Sequence, residues 1–232
     1  MLVIISNIVI ALLGLLIVKP SNALVEILAK EENITLKGIK ENLKFNYGIA
    51  LTLPILLIAL FYKFSFSGMF FIYSFLGIML IIDAFVDMKA QIIPNELNFV
   101  GFLVGIVLTY VTLIKDVTLG LDKIYGLLAG GGIFLLIALV AFLIYKKEGM
   151  GLGDVKLMGV LGLFFGLFNT IQIFILSFAI GAIVSILLMI FKIKKSTDYM
   201  AFGPFIVIAT VITMFVPYTI LFPWYMNLLM LI

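Results

Sequence analysis

Gly68-Met-Phe-Phe-Ile-Tyr-Ser-Phe-Leu-Gly-Ile-Met-Leu-Ile-Ile-Asp83-Ala-Phe-Val86 runs straight into Asp87. A run of about 17–25 mainly apolar residues is long enough to cross a bilayer as a helix. This one carries a single charge, Asp83, before it meets the second, Asp87. Seven other runs read alike: residues 2–18, 47–62, 97–114, 124–145, 155–168, 171–191 and 202–222. The expected fold is all-α, a polytopic membrane protein with about eight transmembrane helices. The run at 155–168 is short and meets the next through Asn169-Thr170, so a tilted or partly re-entrant helix is expected there. An apolar tail, 223–232, follows the last span, with Trp224 and Tyr225 placed to anchor at an interface.

Composition points the same way. Of 232 residues, 65% are hydrophobic and the mean hydropathy is +1.34, against about 45–50% apolar residues in a soluble domain. The absence of Cys excludes disulfides and thiolate metal sites. The absence of His excludes a His-ligated metal and a Ser-His nucleophile pair. All 15 basic residues are Lys, so no guanidinium fork exists for bidentate phosphate binding. The net charge of +3 is modest. No metal, cofactor or nucleic-acid partner is expected. Residues 2–18 lack a charged n-region and a small-residue cleavage site, so a retained first helix is expected rather than a signal peptide. Residues 22–30 read as a short amphipathic helix lying on the membrane surface. Residues 33–44 read as a solvated connector or, in the alternative, as a docking surface for a partner.

Lysine placement sets the expected orientation. With eight spans, twelve Lys fall in the odd-numbered loops and three in the even ones, Lys63, Lys115 and Lys123. Cytoplasmic loops carry the excess of Lys. The N-terminus is therefore expected outside, with Asp87 and Asp154 both at the cytoplasmic boundary of a multi-pass inner-membrane protein. The chain is expected to form one membrane-embedded unit in three parts, 1–67, a core at 68–205, and 206–232.

Acids at membrane depth are costly and are functional candidates for that reason. Asp87 ends its span, and Pro94 biases Ile93 away from helix, so a break precedes Asn95. Asp83 lies one turn deeper on the same face. It reads either as a hydrogen-bonded packing residue or as an auxiliary acid acting on Asp87. The third acid sits in Glu148-Gly149-Met150-Gly151-Leu152-Gly153-Asp154-Val155-Lys156. Gly149, Gly151 and Gly153 permit close backbone approach and unusual dihedrals. A P-loop would need Gly-x-x-x-x-Gly-Lys-Ser/Thr. Here Asp154 would repel a phosphate, and Lys156 is displaced with no Ser or Thr after it. The glycines instead read as clearance for a substrate strand beside a carboxylate. Two close carboxylates share one proton and hydrolyse a peptide bond without metal, His, Ser or Cys. Asp87 and Asp154 are the expected catalytic pair.

These segments resemble the bacterial type IV prepilin peptidases, polytopic aspartyl proteases with a Gly-x-Gly-Asp signature. The resemblance rests on Asp87 with Ile93-Pro94-Asn95, on Glu148 to Lys156 and on through Leu157 and Gly159, and on Phe202-Gly203-Pro204-Phe205. It implies cleavage of the leader of type IV prepilins or pseudopilins, after a Gly, on the cytoplasmic side. It implies Asp87 and Asp154 as catalytic residues. Pro94, Asn95, Glu148, Gly149, Gly151, Gly153, Lys156, Gly203 and Pro204 would support them. Many bacterial members carry a larger cysteine-bearing insert after the first span and methylate the new N-terminus with S-adenosylmethionine. Here residues 19–44 replace that insert and hold no Cys. Methyl transfer is therefore expected to be weak or absent, and S-adenosylmethionine is not an expected cofactor. The expected partners are a prepilin or pseudopilin and the lipid bilayer. The Gly149–Gly153 loop is expected to be mobile.

Two other readings use the same acids. An ion-coupled transporter would use them as a relay, but Asp87 and Asp154 are expected at one face rather than at midplane. A presenilin-like intramembrane protease shares Gly-Leu-Gly-Asp, but there the first acid follows a Tyr, whereas Val86 precedes Asp87 here.

Overall fold

The computed structural model describes residues 2–31, 34–146, 151–193, 195 and 200–221. Glu148, Gly149, Trp224 and Tyr225 lie outside the described residues, and with them part of the expected mobile loop. Every regular element among the described residues is helical. The chain folds as two compact units that divide between Pro94 and Asn95.

The first unit holds α1 (Leu2–Ala29), α2 (Leu36–Glu41), α3 (Tyr47–Phe64) and α4 (Gly68–Ala90). Here α1, α3 and α4 pack on one another. The expected end of the first helix at Lys19-Pro20 and the separate surface helix at 22–30 are not found: α1 continues through Pro20. Proline in a helix interior costs roughly 3 kcal/mol. After it, however, Val25, Ile27 and Leu28 are buried, and each fully buried aliphatic contributes about 1.5–3 kcal/mol. Tertiary burial outweighs the local penalty. Ser21 and Asn22 are buried there too, and Asn46 donates to the Asn22 side chain at 3.0 Å. Before Pro20 the helix is different, with Leu12, Leu13, Leu15 and Leu16 exposed as a lipid-facing surface would be.

The second unit holds α5 (Asn95–Lys115), α6 (Val117–Tyr145), α7 (Leu152–Phe165), α8 (Leu167–Ile190), α9 (Gly203–Phe215) and α10 (Tyr218–Leu221). Among the described residues, six helices are long and apolar enough to cross a membrane: α1, α3, α4, α5, α6 and α8. The expected sixth and eighth spans are short, with α7 at 14 residues and α9 at 13. Fourteen residues rise only about 21 Å, against a hydrocarbon core of about 30 Å. The last span stops before Pro217, which turns Val216 away from helix (φ −128°, ψ 89°).

The α7–α8 break falls at Gly166, three residues before the expected Asn169-Thr170. Gly166 has φ +75°, a conformation that favours glycine, and a Cβ there would collide with Asp122. A helix end at membrane depth must find partners for its last four carbonyls. All four are satisfied. Gly166 N–H donates to Gly162 O at 2.9 Å. Lys123 Nζ donates to Leu163 O at 3.3 Å and Phe164 O at 2.8 Å. Asn169 Nδ2 donates to Phe165 O at 3.0 Å. Asp122 Oδ1 accepts from Leu167 N–H at 3.1 Å, which caps α8. Lys123 is thus an α6 residue that closes α7 and not a loop residue, and Lys156 likewise lies within α7.

α7 packs against α5, α6 and α8, and ten of its residues are buried. Its approach to α6 needs bare backbone. A Cβ on Gly126 would fall 2.7 Å from Gly166 C, and one on Gly130 would fall 2.9 Å from Met158 C. Small residues spaced by four bring helices this close in membranes.

Replacing Lys123 by Met should strip the Phe164 carbonyl of its donor. The expected loss is about 1–3 kcal/mol of stability, read as a lower thermal midpoint in detergent. An unchanged midpoint would show that the carbonyls find other partners.

Candidate functional site

α4 carries two acids toward its C-terminal end. Asp87 lies in the last turn at 5% exposure. The turn is closed by Gln91 in the left-handed conformation (φ 57°, ψ 35°), whose N–H donates to Asp87 O at 2.8 Å. Neighbouring helices of the same unit hold this end in place. Lys89 forms an ion pair with Glu26 of α1. Phe85 lies against Gly48 at the start of α3, so closely that a Cβ on Gly48 would sit 2.7 Å from the ring. α4 ends at Ala90 and α5 begins at Asn95, with the expected break before Pro94.

Asp83, one turn before Asp87, is 1% exposed. Neither of its carboxyl oxygens has a hydrogen-bond partner among the described residues. Such burial of a carboxyl without a donor is costly.

Asp154 belongs to the second unit. It lies in the first turn of α7, buried at 7% exposure, with its N–H donating to Gly151 O at 3.1 Å. A helix N-terminus favours negative charge. Gly151, at the N-cap, has φ −66° and ψ 135°. Any residue adopts that conformation, so the expectation of unusual dihedrals is not met at Gly151. A Cβ there would meet Asp154 Oδ2 at 3.5 Å, an ordinary contact. Neither conformation nor packing among the described residues demands glycine at this position.

The second unit brings two of the expected support residues together, since Lys156 Nζ donates to Asn95 Oδ1 at 2.7 Å. This bond joins the first turns of α5 and α7. Gly203 and Pro204 open α9, where Gly203 is buried and Pro204 occupies the first turn. The preceding Phe202 packs on Phe178 at 5.0 Å and on Phe134 of α6 at 6.2 Å between ring centroids. Phe134 is one turn along α6 from Gly130 and Gly131, which face α7. α6 therefore connects the two motif segments of this unit.

A groove of about 720 Å³ opens in the second unit among α5, α6 and α7. Phe99 and Phe102 of α5, Leu127 and Gly131 of α6, and Val155 and Val160 of α7 line it. Glu96 and Lys156 also line it, and both are exposed. Among the described residues no group of three acids is placed to hold a metal ion. Sequence reasoning missed the role of Lys123, the α6–α7 glycine contacts and this groove. Gly126 and Gly130, four apart in an apolar run, were the available signal.

Residues 74–186 match the family profile described as Type IV leader peptidase family. The prepilin leader peptidase/N-methyltransferase of Escherichia coli (strain K12) is 29% identical over 133 residues, 56% of this chain and 56% of that protein. The protein of the same name from Aeromonas hydrophila is 30% identical over 131 residues, 56% of this chain and 44% of its own length. That of Xanthomonas campestris pv. campestris is 25% identical over 169 residues, 69% of this chain and 55% of its own length. The match spans about half the length of these relatives. No solved structure matches the chain.

Since a methyl group fits at position 151, Gly151→Ala should fold with an unchanged thermal midpoint. If the glycine clears space for a substrate, turnover should fall by about tenfold or more, the scale of a misplaced substrate. Full turnover in a stable variant would remove the clearance role.

Proposed function

The chain belongs to the type IV leader peptidase family, and from that premise we propose that it is an aspartic endopeptidase of type IV prepilins or pseudopilins. Asp87 and Asp154 form its catalytic pair. The observation that carries the reading is that both are buried in helix-terminal turns inside the matched segment. A chain without Cys or His has no thiolate or imidazole to serve instead.

In this reading the two carboxylates share one proton. The ionised one takes a proton from water, and the water oxygen bonds to the scissile carbonyl carbon. The protonated one donates a hydrogen bond to the carbonyl oxygen. A proton then passes to the amine nitrogen as the C–N bond breaks, and the pair returns to its starting charge. Cleavage follows a Gly at the cytoplasmic face, and the skew of Lys toward alternate loops supports that orientation. Pro94 separates α4 from α5, and the Lys156–Asn95 bond holds the first turn of α7 beside that of α5. Substrate binding closes the pair around one water.

Asp87→Asn and Asp154→Asn should each abolish leader cleavage of a model prepilin in detergent while membrane insertion persists. Asp83→Asn should keep substantial activity. Full activity in either of the first two would sink the assignment. Ion transport needs two compartments, so cleavage in detergent also separates this reading from a transporter.

The relatives are named as N-methyltransferases as well. The connector of this chain holds no cysteine, and methyl transfer is not part of the proposal. Mass spectrometry of the processed subunit should find a free N-terminal amine. Stoichiometric enzyme-dependent methylation would overturn that point.

A further inference from the structure

One wall residue of the α5–α6–α7 groove is out of keeping with the rest. Asn98, in the first turn of α5, is 4% exposed. Its Oδ1 and Nδ2 are both buried, and neither has a hydrogen-bond partner among the described residues. A buried amide left unpaired is costly on both its donor and its acceptor side. Around it the groove is almost wholly apolar, formed by Phe99, Phe102, Leu127, Val155 and Val160.

We infer that this groove is a subsite for an apolar stretch of the peptide substrate, and that the Asn98 side chain pairs with a backbone peptide unit of that stretch. The inference rests on the peptidase reading above. A carboxamide offers one acceptor and a donor group side by side. Its natural complement is a group that also offers both, and a peptide unit does so with its N–H and C=O. The acyl and ester portion of a phospholipid offers acceptors only and would leave Oδ1 unpaired. Two residues that line the groove, Val155 and Lys156, follow Asp154 directly in the chain. Its exposed rim holds Glu96 and Lys156, so the apolar floor is open to an incoming chain. Binding a peptide here gives partners to two polar atoms that have none among the described residues. Asn98 thereby selects a peptide over a lipid tail in a site that shape alone would give to either.

The test uses the full chain in detergent, with a synthetic peptide of leader, Gly and apolar segment. Cleavage gives kcat and KM, and fluorescence anisotropy of the labelled peptide gives binding. Asn98→Leu keeps the branching of the side chain and removes both polar atoms. Its KM and Kd should rise about tenfold or more, the effect of two lost hydrogen bonds, with kcat within about twofold. Its thermal midpoint should stay the same or rise, because an unpaired group has gone. Gly131→Leu, which fills the groove, should raise KM in the same way. A lowered midpoint with unchanged KM would make Asn98 a structural residue and overturn the inference. So would phospholipid that co-purifies with the wild type and is lost from Asn98→Leu while KM is unchanged. Wild type that binds the peptide without cutting it would remove the catalytic reading and leave the groove. Wild type that neither binds nor cuts it would remove both.

Discussion

A carboxyl group buried among apolar helices must be held by donors, by a second acid or by a reaction that uses it. That constraint governs this chain. Asp87 and Asp154 are buried, and both sit in helix-terminal turns. The placement of Asp154 depends on α7 beginning at Leu152 and lying flush against α6. That contact depends on Gly126, Gly130 and Gly162, whose missing side chains let two backbones touch. A helix of 14 residues then ends inside the unit, and its carbonyls would be unpaired without Lys123 and Asn169. The charged pair Asp122-Lys123 closes α7 and opens α8. Its presence within a long apolar helix is therefore structural in origin.

The sequence made the long helices legible because their apolar runs match the bilayer. The break after α4 was legible because Pro94 acts locally. Three boundaries were not. α1 passes through Pro20 because burial of Val25, Ile27 and Leu28 against the helices packed on α1 outweighs the proline. The α7–α8 break lies at Gly166 because Asp122, far off in sequence, occupies the space that a side chain would need. The last span ends at Val216, ahead of Pro217, where Gln172 Nε2 donates to the Val216 carbonyl at 2.7 Å. Proline was visible there, and the apolar run beyond it concealed the stop.

At the site, the two acids stood out by residue type against an apolar background. The supporting arrangement did not. Lys156 and Asn95 meet through a bond between residues 61 apart, which no local pattern encodes. Asn98 reads in sequence as one polar residue near a helix start, a common and uninformative position. Only its burial with no partner among the described residues gives it meaning. Gly151 shows the reverse, because its sequence context points to special backbone geometry and the structure gives it an ordinary one. Its role is then sought in what approaches the chain from outside.

Because the chain contains no Cys, thiols can be introduced one pair at a time without background. The central claim is that Asp87 and Asp154 act as one pair. The most direct measurement is cross-linking of an Asp87→Cys, Asp154→Cys protein in membranes with a short bifunctional thiol reagent and a prepilin peptide present. Rapid intramolecular cross-linking at this pair, and much slower reaction when either thiol is moved one turn along its helix, is the result the account predicts. Two thiols that each react readily with the reagent but never cross-link to each other would contradict it.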